Sequence, residues 1–202
     1  LAACQEELRI NRRTAPHMYL DVVGVEGDGS EARPWRVKPW AAGDAAGAEP
    51  AVLMRRFDQQ ALLSRRLEAG CVADEDMDAL AEQVARLHTQ AAVANMAQLG
   101  GALAAPSPGH AATAPVRECL TALALVLPEV APGQMGDLQR LEQWCAVQQI
   151  ALKDVWAQRW RGGHVRECHG DLHLANIAWI DGHPQLFDAL EFNPDLRWID
   201  CM

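Results

Sequence analysis

The chain has 202 residues, half of them hydrophobic, and 27 acidic against 18 basic side chains give it a formal net charge of −9. That size and composition suit one domain or a small pair with a real core. The charge argues against general nucleic-acid binding, which needs clustered Lys and Arg, and no apolar run reaches the ~18–20 residues of a membrane span. The opening LAACQEELRINRR is charged and helical in pattern, unlike a secretory leader. Six cysteines without a CxxC pair read as reduced thiols in a cytoplasmic protein, although a secreted protein with free thiols fits the same pattern. An acidic surface favours a cationic substrate, a weak hint because most acidic proteins are merely soluble. The chain opens on Leu1 inside a helical pattern and stops at Met202 as another begins, so a piece of a longer protein is expected.

In chain order, residues 4–13 read as a helix stopped before Pro16, and Tyr19–Val25 as a strand. A turn at 27–30 leads to a second strand at Trp35–Lys38. An Ala/Gly-rich loop spans 41–50, and a third strand covers Ala51–Phe57. From Asp58 the pattern turns helical: Gln59–Ala69 closed by Gly70, then a longer helix from Asp74 to about Ala92 with Leu80, Val84 and Leu87 on one face. Asp74, Glu75 and Asp76 suit the positive end of that helix dipole and read as a capped start rather than a metal site. Residues 100–115 read as a loop, and helices follow at 115–127 and 137–161, the second closed by Gly162-Gly163. A short strand at His164–Cys168 comes next, then a loop and hairpin, then a helix starting at Leu196. Sheet first and helices second implies two lobes, 1–57 and 58–202, with a cleft near strand 51–57.

The chemistry concentrates in His169-Gly-Asp-Leu-His-Leu-Ala-Asn176 and in Leu186-Phe-Asp188. Phosphoryl transfer from a nucleotide needs a carboxylate beside the acceptor hydroxyl and oxygen ligands for magnesium. Kinases supply them with an H-R-D-x-x-x-x-N loop and a D-F-G aspartate. Asp171 and Asn176 stand five apart, as in that loop, and Asp188 follows twelve residues later; Gly170 replaces the arginine, and Ala189-Leu190 follow Asp188. Between them Asn176–Ile180 and Pro184–Asp188 read as strands joined through Asp181-Gly182, a strong signal for a type I′ hairpin. Such a ribbon returns Asp188 to the edge that carries Asn176.

Each of these residues also has a plainer reading. Asp171 alone would be an ordinary loop aspartate, but the matched Asn176, Asp188 and hairpin weigh against that. His169, Asp171 and His173 have the types of a zinc cluster, yet Gly170 makes a poor start for the helix on which H-E-x-x-H sites sit. Structural roles are favoured for both histidines: His169 fixing the loop, His173 hydrogen-bonded nearby. Glu191 and Asp200 either orient the loop or a metal-bound water, or are simply structural, with equal weight. Gly24, Gly27 and Gly29 with Lys38 imitate a glycine loop and its lysine, but the spacing and Pro39 favour a surface hairpin. Trp144, Trp156 and Trp160 are spaced as a helix packing face.

HGDLHLANI and LFDALEFNPDLRWID resemble the aminoglycoside phosphotransferase-like family of small-molecule kinases, and within it the bacterial branch fused to a P-loop ATP-binding domain. EELRINRRTAPHMYLDVV and AVLMRRFDQQALL resemble the same branch, so the likeness covers both ends, while residues 90–165 match only in helical character. The resemblance implies an α+β, two-lobed protein-kinase-like fold, partial at both ends, with ATP and Mg2+ as cofactors. Asp171 would be the catalytic base, and Asn176 and Asp188 the magnesium ligands. Glu7 (or Glu6) would be the carboxylate offered to the ATP lysine, and Met54-Arg55-Arg56-Phe57 the hinge against adenine. That lysine and its strands would precede residue 1, further helices would follow Met202, and Leu53 stands where the branch often carries a basic residue. The fragment alone is therefore expected to bind ATP poorly.

Three functions compete. The leading one is an ATP- and magnesium-dependent phosphotransferase acting on a small hydroxyl-bearing substrate: an aminoglycoside, choline, a sugar or an amino alcohol. Its partners would be that substrate and the fused P-loop domain, not nucleic acid or membrane. A metal-dependent phosphoesterase is suggested by Gly170-Asp-Leu-His173, but that class needs an upstream D-x-H and a downstream G-N-H, which the chain lacks. A non-catalytic, kinase-like binding module is the third.

Overall fold

The computed structural model describes residues 1–41, 47–94 and 109–201. It is a mixed α and β structure whose strands form three small antiparallel sheets among the described residues. The chain divides into two compact units: Leu1–Thr89 with Asp171–Phe192, and Gln90–Gly170 with Asn193–Met202. This cut differs from a boundary after residue 57, because the hairpin late in the sequence belongs with the N-terminal sheet.

In the first unit, helix α1 (Ala2–Asn11) leads to β1 (Tyr19–Glu26), β2 (Arg36–Pro39) and β3 (Glu49–Met54), ordered β2-β1-β3. Gly24 lies opposite Lys38, and the Lys38 ammonium meets Glu26 at 2.6 Å, so the glycine-rich stretch is the surface hairpin expected. The third strand ends at Met54 rather than Phe57. The Arg55 N–H still donates to the Met18 carbonyl at 2.8 Å, one step past the Tyr19–Met54 pair, and Asp58 then caps the next turn through the Gln60 N–H. Residues 59–69 are likewise not one helix. A 3-10 turn (Gln59–Ala61) precedes α2 (Leu63–Glu68), and between them Leu62 is extended and bridges Ala178. Gly70, at φ +66, closes α2 as expected.

Helix α3 (Asp74–Gln90) buries Leu80 and Leu87, with Val84 partly covered, against Leu63, Ile177 and Leu186. Asp76 accepts the Ala73 N–H at 3.1 Å at the start of α3, as a cap does, and also pairs with Arg66 at 2.8 Å. Removing one of these side chains, as in Leu186→Ala, opens a cavity worth about 2–5 kcal/mol. A second cluster, around Ala15, Met18 and Tyr19, takes in Leu8, Val52, Met54, Phe57, Ile180 and Phe187.

The second unit holds α4 (His110–Val130), α5 (Met135–Ala151), α6 (Lys153–Arg161), β4 (Val165–Glu167) and β7 (Trp198–Asp200). Residues 110–115 are helical rather than loop, and the rest of the expected 100–115 loop, down to residue 108, lies outside the described residues, as do 42–46 of the expected 41–50 loop. The expected helix 137–161 is two helices that part at Leu152, where no glycine or proline signals a break. Residues 196–201 are not a helix. Pro194 and the Asn193 side chain fix a 3-10 turn at Pro194–Leu196, and Trp198–Asp200 then pairs antiparallel with β4. Trp160 packs against Ala94 and Val165, but Trp144 is 60% exposed, so the three tryptophans do not form one packing face. Among the described residues, no helix is long and apolar enough to cross a membrane.

Candidate active site

The first unit receives the motif at Asp171, which follows Gly170 at φ +88, a backbone region that suits glycine where the kinase loop has arginine. The chain then turns through a 3-10 segment, Leu174–Asn176, capped by His173, whose Nδ1 accepts the Ala175 N–H at 3.2 Å. This leaves the ring proton on Nε2, which stands 3.6 Å from Asp171 Oδ2. Asn176 is buried, and its Nδ2 donates to the Asp171 carbonyl at 2.9 Å. The amide is thereby oriented, and its Oδ1 meets no donor among the described residues.

Strands β5 (Ile177–Ile180) and β6 (His183–Leu186) pair in register through Asp181 and Gly182, both at positive φ (53 and 80), as a type I′ turn requires. The Phe187 N–H donates to the Asn176 carbonyl at 3.0 Å and closes the open end of the ribbon. Asn176 and Asp188 thus leave the hairpin at one edge.

Asp188 itself has φ +62, a left-handed conformation uncommon for a residue with a side chain. Residues far away in sequence hold it there. The Asp188 N–H donates to the Tyr19 hydroxyl at 3.0 Å, and the Ala189 N–H to Asn11 Oδ1 at 2.7 Å. Just before them, Thr14 Oγ1 donates to the Leu186 carbonyl at 2.6 Å. Asn11 is anchored in turn through Nδ2 to the Glu7 carbonyl at 3.0 Å. Sequence reasoning missed Asn11, Thr14 and Tyr19 as positioning residues. The available signal was a pair of polar side chains, Asn11 and Thr14, at the end of α1 among residues that belong in the core.

The electrostatics single out two carboxylates. Desolvation raises the pKa of Asp188 above the usual carboxylate range, and Glu191 and Asp171 add to the shift. Desolvation also raises Glu7, with Glu191 and Asp188 contributing. Neither side chain has a hydrogen-bond or ion-pair partner among the described residues, and Asp188 stays open to solvent. Burial in the main, reinforced by Glu7, Asp188 and Glu191, keeps the Tyr19 phenol protonated. Glu6 points to a different role from Glu7: it pairs with Arg9 at 2.7 Å. Of the two glutamates considered, Glu7 is the one on the site.

The 54–58 segment faces open space on two sides. One concavity, of about 660 Å³, is lined by Met54 to Gln59 alone. Another, of about 570 Å³, lies between Arg55–Asp58 and the turn end of the hairpin, with His17 and Trp179. The Arg55 N–H is already spent on Met18, so an adenine would have to use the backbone beyond it.

The remaining expected residues lie in the second unit. His169 is buried, as a structural role requires. Asp200 is gripped by Arg159 through three contacts of 2.6, 2.8 and 3.0 Å, which favours its structural reading over any duty in the loop.

The oxygens at the hairpin edge are hard ones, the Asn176 amide and the Asp188 carboxylate, and Glu191 lies near enough to Asp188 to raise its pKa. That set suits magnesium rather than a soft metal. Two carboxylates raised by desolvation first and by neighbouring carboxylates second are what a cation would relieve.

No family model and no solved structure matches the chain. It is 28% identical over 200 residues, 98% of its length, to an uncharacterized protein of Mycobacterium bovis, and equally so to uncharacterized proteins of two Mycobacterium tuberculosis strains. It covers 35% of each, so the chain spans about a third of the length of the curated relatives it matches.

Proposed function

We propose that this chain is part of an aminoglycoside phosphotransferase-like small-molecule kinase, with a two-lobed kinase-like fold, that transfers a phosphoryl group from ATP to a substrate hydroxyl. The observation that carries the reading is the shared hairpin edge, where Asn176 and a strained, donor-free Asp188 stand five and seventeen residues after Asp171. Asp171 accepts the proton of the attacking hydroxyl, oriented by His173 Nε2 at 3.6 Å. Asn176 Oδ1 and Asp188 hold magnesium, which when bound neutralises charge on the phosphate oxygens. Tyr19 and Asn11 keep Asp188 in its left-handed conformation. Met54–Phe57 lies against the adenine, and Glu7 meets the nucleotide lysine.

That lysine lies elsewhere in the parent protein. The chain has two lysines, Lys38, paired with Glu26, and Lys153, at the start of α6 in the other unit. The greater length of the relatives leaves room for the nucleotide strands and for a fused P-loop domain. The lack of a suitable lysine also favours a second reading, a kinase-like module that binds without turnover.

The test is a phosphate-transfer screen of the full-length protein against a panel of hydroxyl compounds, repeated with Asp171→Ala. Turnover with ATP and Mg2+ that falls roughly 10²–10⁴-fold in the variant is expected for loss of a general base. Turnover unchanged in Asp171→Ala would remove the assignment, and none with any compound would favour the binding module.

A further inference from the structure

The six cysteines look scattered in sequence, but two of them meet in the second unit. Cys168, 1% exposed, follows β4 and donates its N–H to the Arg197 carbonyl at 2.8 Å. Cys201 follows β7 and donates its N–H to the His164 carbonyl at 2.9 Å. Their sulfurs are 3.1 Å apart, a hydrogen-bonded thiol pair, whereas Cys4 and Cys71 direct theirs to backbone carbonyls.

We propose that Cys168 and Cys201 are a modification site, a dithiol that oxidises reversibly to an intramolecular disulfide. A disulfide needs the sulfurs to close to about 2.05 Å, a movement of about 1 Å from their present separation. Cys201 is the more accessible of the pair and is the attacking group. Arg159 donates to the Cys201 carbonyl at 2.8 Å and so helps to fix the backbone that carries this thiol.

With a peroxide as oxidant, the Cys201 thiolate attacks one peroxide oxygen and breaks the O–O bond, giving a sulfenic acid and one water. The Cys168 sulfur then displaces the sulfenic oxygen, which leaves as a second water. Overall two thiols lose two hydrogens and two electrons, and the peroxide is reduced to two waters. A small disulfide such as oxidised glutathione serves equally, leaving as two thiols. The cross-link closes a loop that contains Asp171, Asn176 and Asp188, so it ties together both ends of the segment proposed to carry the site.

The test treats the native chain with hydrogen peroxide or oxidised glutathione and maps disulfides by mass spectrometry, a readout that does not depend on the proposed phosphotransfer. One linkage joining the peptides of Cys168 and Cys201 is expected, with the other four of the six thiols still titratable after denaturation. Dithiothreitol reverses it, and the oxidised form melts roughly 5–10 °C higher. Cys201→Ser and Cys168→Ser must each abolish the linkage, and Cys201→Ser guards against the case in which replacing the buried thiol unfolds the unit. Six free thiols after oxidation, or linkages among Cys4, Cys71, Cys119 and Cys145 instead, overturn the proposal. So does one equivalent of zinc retained by the reduced protein and lost in both variants, which would make the pair a metal site.

Discussion

The acidic groups of the two units are handled in opposite ways. In the second unit, buried Glu167 has Arg197 at 3.3 Å, and Asp200 has Arg159 at 2.6 Å. In the first, Glu7 and Asp188 are partly desolvated, both are raised further by the charge of Glu191, and neither carboxylate has a hydrogen bond or ion pair among the described residues, with only His173 acting to lower Asp188. A protein that needed these carboxylates only for stability would pair them, as it does beside β4 and β7. Leaving Asp188 unpaired, at positive φ and held there by Tyr19 and Asn11, costs stability, a cost that the proposed magnesium site would account for. The contrast is between paired carboxylates in one unit and unpaired, partly desolvated ones in the other, which is the arrangement the proposed cation site needs.

The largest stability effect is expected where a charge is compensated. Arg197→Met removes a buried guanidinium from buried Glu167 and should cost about 3–5 kcal/mol in denaturant unfolding. Replacing both, Glu167→Leu with Arg197→Met, should recover most of it. If the single variant were neutral, the pair would not be the structural counterpart of the unpaired site.

Asn11→Ala should cost about 1–3 kcal/mol, because it strands the Ala189 N–H inside the first unit. Tyr19→Phe removes the acceptor of the Asp188 N–H and should cost about 1 kcal/mol. Under the proposed function, both should lower phosphate transfer by the full-length protein by more than their effect on folding, since they release the conformation of Asp188. Loss of stability with activity intact would make them ordinary core contacts.

The hairpin was legible because Asp181-Gly182 admits positive φ at both positions and the flanking runs fit short strands. The α3 face was legible because Leu80, Val84 and Leu87 recur at helical spacing. Short-range pattern failed at Trp198–Asp200, where pairing with β4 decides the conformation and six residues are too few to fix a period. It failed also at residues 55–58, where the pairing runs out after Arg55 and Asp58 caps the turn that follows. The return of Asp188 to the edge that carries Asn176 was readable from the hairpin signal. The supports of Asp188 were not, because Asn11 and Tyr19 lie 178 and 169 residues from the backbone they hold. The Cys168–Cys201 contact was hidden for the same reason.

The unpaired carboxylates also set an unusual pH dependence. Asp188 and Glu7 have pKa values raised by folding, so their contribution is fully present below the ordinary carboxylate range and is lost as pH rises through the raised values. Without a cation, the first unit should therefore be less stable at neutral pH than in mild acid on their account, the reverse of a salt-bridged aspartate.

The most direct measurement is the thermal unfolding of the wild-type chain and Asp188→Asn at neutral pH, each with and without Mg2+. We expect Asp188→Asn to melt above the wild type in the absence of metal, and Mg2+ to raise the wild-type midpoint while leaving the variant unmoved. An Asp188→Asn that melts lower without metal, or equal Mg2+ stabilisation of both proteins, would contradict a cation site built on Asp188.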